Sequence, residues 1–146
     1  MSGMDAYRSI LTLPLDTGEA AVSGRNEMKS YYHPPVEELS LPCVLHALSD
    51  PVRLIVVNSL ASSGEQPCGT FPVPVAKSTL SHHLRVLREA GITRVREEGT
   101  LHYLSLRRAD LDSRFPGVLD AVLSSCDEQD LFVRAASSAD VEPALA

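Results

Sequence analysis

Disulfide chemistry, membrane spans and catalytic signatures are all missing from this chain. It has three cysteines, Cys43, Cys68 and Cys126, widely spaced and odd in number. That argues against a disulfide framework and for a reducing compartment, the cytoplasm. No apolar run reaches the roughly 18 residues that a membrane-spanning helix needs. The N-terminus has no basic segment leading into an apolar one, so no secretory signal is legible. A Gly-rich phosphate loop, G-x-S-x-G, H-E-x-x-H and Cys-x-x-Cys are each absent, which leaves an enzyme no constellation to work from. The adjacent His82 and His83 would point about 100° apart on a helix, so one metal ion could not easily take both.

What is present suits one domain with tails. The chain has 146 residues and is 44% apolar, enough for a core of roughly 90–110 residues. Residues 1–35 show no sustained period and read as an extended N-terminal segment. A short helix fits near Ala6 to Leu11, and Met28 is a second candidate for the translation start. His33-Pro34-Pro35 is then the extended lead into a domain over 36–125. Residues 126–146 are acidic and Ala/Ser-rich and read as a frayed or partly helical tail. There is no internal repeat. The net charge is −6, yet residues 77–114 hold eight basic side chains against five acidic ones. The positive charge is therefore concentrated in one stretch, as contact with nucleic acid requires.

That stretch contains the most informative pattern. In Lys77–Ile92, Leu80, Leu84 and Leu87 form a narrow apolar stripe at helical spacing. Ser78, Ser81, His82 and Arg85 fall together on the opposite side, a short polar face suited to base edges in a major groove. Ser78 reads as the N-cap and Gly91 as the residue just past the C-terminus. Upstream, Ser40 caps a helix whose stripe is Leu41, Val44, Leu45 and Leu48. Asp50-Pro51 starts a second, lined by Val52, Ile55, Val56 and Leu60, with Arg53 bracing a neighbouring carboxylate or backbone. Glu65–Ala76, with Pro67, Gly69, Pro72 and Pro74, has room for at most one helical turn. Downstream, Thr93–Glu97 and Thr100–Leu106 alternate at period two around a turn at Glu98-Gly99. Short helices follow at Ala109–Arg114 and after Pro116-Gly117. In the latter Val118, Leu119, Val122 and Leu123 either close the chain's own core or pair with a second copy.

The order helix, helix, broken segment, helix, hairpin, helix resembles the ArsR/SmtB family of bacterial winged helix-turn-helix repressors. Ala47-Leu48-Ser49-Asp50-Pro51-Val52-Arg53-Leu54 looks like the family's A-L-S/A-D-P-x-R-L segment. Ser78 to Ile92 matches its recognition helix, S-x-x-S-x-H-L-x-x-L-x-x-A-G-L/I, at every stated position, and the hairpin with Tyr103 looks like its wing. The resemblance spans about residues 36–124. It implies a mainly α fold with a β-hairpin wing (α+β) and a helix-paired homodimer. Leu41, Val118, Leu119, Val122 and Leu123 are the candidates for the paired face. It also implies a repressor that binds an inverted-repeat operator in double-stranded DNA. On this basis Ser78, Thr79 and Ser81 would contact phosphates or base edges, His82 and Arg85 would read bases, and Lys77 would hold a phosphate. Arg96 and Thr100 of the wing would contact phosphates or the minor groove, although Glu97 and Glu98 depart from a basic wing tip. His83, beside the apolar stripe, reads as a packed histidine bonded to backbone.

Family members release DNA when an effector binds. The family's thiolate sites use a closely spaced Cys pair before the recognition helix, where this chain has Cys68 alone. Cys68 therefore reads first as an unreactive thiol, with a metal or redox effector as the alternatives. The family's Asp/His site on the last helix lacks its histidine here, since residues 109–126 offer only Asp110, Asp112 and Asp120. His33 reads as a loop residue, His46 as packed and His102 as a wing residue without a paired ligand. The expectation is no cofactor and no metal. The competing function is a winged-helix module that contacts proteins and has little affinity for DNA.

Overall fold

Asp50 and Pro51 start a helix on which the next helix, the last helix and one strand of the sheet pack. The Asp50 carboxylate accepts from the backbone N–H groups of Val52 (2.8 Å) and Arg53 (3.2 Å). Pro51 occupies the first turn, where no intrahelical N–H bond is lost. The computed structural model describes residues 31–145, and side chains as far as Ser137. The helix expected near Ala6 to Leu11 and the start considered at Met28 lie outside the described residues.

After a 3-10 turn at Val36–Glu38 come α1 (Leu41–Ala47), α2 (Pro51–Ser63), β1 (Gln66–Pro67) and α3 (Lys77–Glu89). The hairpin β2 (Thr93–Glu98) and β3 (Leu101–Leu106) follows, then α4 (Arg108–Arg114), α5 (Val118–Ser124) and α6 (Glu128–Leu145). The strands form one antiparallel sheet in the order β1-β3-β2. This is the expected α+β winged helix-turn-helix fold. Its core joins α1, α2, α3 and the base of the wing through Ala47, Val56, Val57, Leu87, Ile92 and Leu104. Among the described residues no single helix is long and apolar enough to cross a membrane.

Between α2 and α3 the prolines have the effect expected of them: residues 68–76 form turns and extended chain with no helix. Phe71, 6% exposed, pins this strap to the core. What periodicity did not reveal is β1, whose Gln66 and Pro67 pair with Leu104 and Tyr103. Two residues give too short a run for an alternation to register.

Other boundaries differ in detail. Ser40 occupies the N-cap position of α1 but makes no side-chain cap bond. The buried face of α1 is Cys43, Val44, Ala47 and Leu48, while Leu41 and Leu45 are exposed, because the helix is rotated from the all-leucine stripe. The hairpin register pairs Glu98 with Leu101, so the turn is Gly99-Thr100 rather than Glu98-Gly99, with Gly99 at φ +63°. The acidic tail is a continuous helix from Glu128, anchored on α2 by buried Leu131 and Ala135. Asn58 of α2 donates to Glu128 at 2.8 Å. Ala/Ser-rich composition hid this because, among its described side chains, only these two are buried.

The end of α3 is tightly specified. Gly91 N–H donates to Arg88 C=O and Ile92 N–H to Leu87 C=O, both at 3.0 Å, the paired bonds of a Schellman stop. Gly91 has φ +86°, and a Cβ there would overlap the Leu39 side chain. Ile92 folds back fully buried.

Candidate nucleic-acid interface

Helix α3 separates its side chains cleanly. Leu80, His83 and Leu87 are buried. Lys77, Ser78, Ser81, His82 and Arg85 are exposed, with Thr79 half-buried beside them. Six of the residues singled out in the sequence thus share one helix, and Arg96 and Thr100 lie exposed on the wing and at its tip. Ser78 is not the cap: the helix starts at Lys77, after Ala76, and has no side-chain cap. Its first intrahelical acceptor serves Leu80 N–H. The N–H groups of the opening turn therefore have no intrahelical acceptor, as suits contact with a phosphate.

A buried polar contact orients the helix. The Arg53 guanidinium lies 3.1 Å from Nδ1 of His83. It also donates through Nε to Ala47 C=O at 2.7 Å and more loosely to His46 C=O at 3.4 Å. A guanidinium only donates, so Nδ1 accepts and the ring proton belongs on Nε2. The Asp50 carboxylate stands 3.9 Å from the same nitrogen. The end of α1, the start of α2 and the buried face of α3 therefore meet at one side chain. His83 is a packed histidine as expected, with Arg53 rather than backbone as its partner at Nδ1.

The concentration of positive charge is less available than its count implies. Arg88, Arg107 and Arg114 donate to the backbone carbonyls of Tyr32, Pro34 and Leu39. Arg94 pairs with Asp110 (3.7 Å) and Arg108 with Asp120 (2.7 Å). Arg96 makes two bonds to Glu65 (2.9 and 3.1 Å), reaches Glu98 at 3.3 Å and lies over the Tyr103 ring. Its bonds to Glu65 raise its pKa, and Arg96 in turn lowers that of Glu65. Arg85 is largely exposed and 3.4 Å from Glu89. Among the described residues no ion pair engages Lys77. Such exposed pairs are individually weak and can be exchanged for phosphates.

On the wing, Val95 N–H donates to Nε2 of His33 at 2.9 Å. Burial and the nearby guanidinium groups of Arg88, Arg94 and Arg107 lower the His33 pKa to about 4. Cys43, Cys68 and Cys126 are free thiols, each with its pKa pushed up by burial. Among the described residues no group of three or more His, Cys, Asp or Glu could hold a metal ion. Of the five apolar residues considered for pairing, Leu119 is buried in the protomer's own core, Val122 and Leu123 are half-buried against it, and Val118 is half-buried. Only Leu41 is exposed, joined by Leu45, Phe132 and Val133. The sequence reading did not select Tyr31, Glu65 or Arg88, whose partners are remote along the chain and leave no local pattern.

The family model for the arsR family of bacterial regulatory proteins matches residues 50–94, from the Asp50 cap to the first residues of the wing. An uncharacterized HTH-type transcriptional regulator of Bacillus subtilis is 35% identical over 82 residues, 54% of this chain and 82% of that protein. One from Methanocaldococcus jannaschii is 36% identical over 63 residues, 41% of this chain and 70% of that protein. A cadmium resistance transcriptional regulatory protein, a CadC homolog of Staphylococcus aureus, is 41% identical over 66 residues, 43% of this chain and 54% of that protein. The chain belongs to the arsR family of bacterial regulatory proteins, a family of helix-turn-helix transcriptional regulators and not of enzymes.

Proposed function

We propose that this regulator is a cytoplasmic repressor that binds an inverted-repeat operator as a homodimer, placing α3 of each copy in a major groove. The observation that carries the reading is the exposed row Lys77, Ser78, Ser81, His82 and Arg85 on a helix whose other side is buried. His82 and Arg85 read base edges. Lys77 and the opening turn of α3 hold phosphates, together with Ser78, Thr79 and Ser81. Thr100 approaches the backbone from the wing, and Arg96 joins it when a phosphate replaces Glu65. Exposed Leu41 and Leu45 on α1 and Phe132 and Val133 on α6 are the apolar side chains that a second copy would cover. Two-fold pairing sets half-sites about one helical turn apart.

A second reading, a module for protein contact, is favoured by the wing tip, where Glu97 and Glu98 precede an exposed Leu101. Fluorescence anisotropy of a labelled duplex from the gene's own upstream region, against a scrambled duplex and over a salt series, separates the two. Selective, salt-sensitive binding supports the repressor. Weak and equal binding to both duplexes moves the function to protein contact.

A further inference from the structure

A cleft of about 280 Å3 opens between α3 and the wing. Leu84 of α3 and Val95 of β2 give it apolar lining. Arg85 and Arg88 supply two guanidinium groups from α3, and His102 of β3 an imidazole. Tyr31 completes it from the segment ahead of α1. Its ring has the Arg88 guanidinium 5.2 Å from its centroid and the His102 ring edge-on at 5.6 Å. No carboxylate lines the cleft. Two acids pair with lining residues, Glu89 with Arg85 at 3.4 Å and Glu97 with His102 at 3.3 Å. Arg88 is half-buried and donates to Tyr32 C=O. Burial lowers its pKa, yet a guanidinium stays charged, so a partly desolvated cation faces an apolar surface.

We propose that this cleft binds a small organic anion, a carboxylate on a single ring or a short branched chain, and that its occupancy weakens DNA binding. The volume lies near the lower end of the roughly 300–1,000 Å3 typical of ligand pockets, which sets the one-ring scale. The carboxylate pairs with the two guanidinium groups, where bidentate geometry favours it, and the ring covers Leu84 and Val95. A bare phosphate would use the charges and leave the apolar lining wet. Ser81 and Arg85 belong both to the cleft and to the exposed row of α3. A bound carboxylate therefore withdraws Arg85 from a base and sets a negative charge beside the phosphates. This regulatory half rests on the DNA-binding reading, and uptake by the cleft does not.

The test is a titration of the 15N-labelled full chain with benzoate, with phenol (the ring without the charge) and with inorganic phosphate (the charge without the ring). Saturable shifts of the Leu84, Arg88, Val95 and His102 amides by benzoate, at least tenfold tighter than either control, are expected. Arg88→Gln should weaken benzoate at least fivefold. Should that variant fail to fold, benzoate should still slow alkylation of the Cys68 thiol, which also lines the cleft, by iodoacetamide in the wild type. Cys126 serves as the unprotected control in the same peptide map. Equal shifts by phosphate and benzoate, shifts away from the cleft, or an unprotected Cys68 would overturn the site. Binding of benzoate that leaves operator affinity unmoved overturns its regulatory role. Cleft binding in a chain with no DNA affinity upholds the site and removes the repressor reading instead.

Discussion

Arg53 and His83, thirty residues apart in sequence, meet at 3.1 Å in a buried contact that ties α3 to the end of α1. Removing the guanidinium deletes its buried contacts with Ala47 C=O and Nδ1 of His83. Arg53→Ala should lower the unfolding free energy by about 1.5–3 kcal/mol, the range for hydrogen bonds to a charged group. Arg53→Lys should recover little of it, since one ammonium cannot reproduce the planar fork. Urea denaturation followed by circular dichroism reads both, and an unchanged midpoint for Arg53→Ala would remove the contact's structural role.

Gly91 supports a backbone prediction. Alanine there must adopt φ near +86° and push its Cβ against Leu39. The strain alone is about 1–3 kcal/mol, so the melting temperature of Gly91→Ala should fall clearly. An unshifted thermal transition would show that the turn relaxes freely.

His33 makes stability depend on pH. Burial, with the guanidinium groups of Arg88, Arg94 and Arg107 nearby, disfavours the charged ring in the folded state, and the pKa drops from 6.5 to about 4. The neutral Nε2 accepts from Val95 N–H. A depressed folded pKa means that this contribution is complete above pH ~6.5 and is lost as pH falls toward 4. His33→Ala should flatten the stability profile across that window. An NMR titration should find the His33 ring still neutral at pH 5, and a midpoint near 6.5 would refute its burial beside these guanidinium groups.

At the DNA face, Arg85→Ala should cost roughly 1–3 kcal/mol and relax preference at one base position. Lys77→Ala should weaken every sequence alike and reduce the salt slope by about one. An unchanged specificity profile for Arg85→Ala would count against base reading.

Glu65 restrains the wing's charge. Glu65→Gln should free Arg96 and strengthen DNA binding at low salt, with a steeper salt dependence. Weaker binding would indicate that the Glu65–Arg96 pair shapes the wing instead.

Features set by neighbours along the chain were legible in advance. The Asp50-Pro51 start, the Gly91 stop and the prolyl break before α3 each follow from the conformational limits of one or two residues. The polar row of α3 followed from a period. The long-range partners did not: Arg96 meets Glu65 across 31 residues, Arg88 meets Tyr32 across 56, and Val95 meets His33 across 62. Each depends on the finished fold, so a count of basic residues overstated the cationic surface. For the same reason Leu41 is exposed although it was expected on a buried stripe, and Leu119, open to core or pairing, is buried, since an apolar residue on a short helix faces inward or outward only once its neighbours are placed.

A two-stranded wing ordinarily leaves backbone open along both flanks, where a strand of another molecule can add itself. Here β1 lies along β3, and the imidazole of His33 takes up the Val95 N–H on the outer side of β2. Part of each flank is therefore already occupied, that of β3 by Gln66 and Pro67 and that of β2 at Val95. A strand from another molecule could add itself only toward the tip, where Glu97 and Glu98 would set two charges against it.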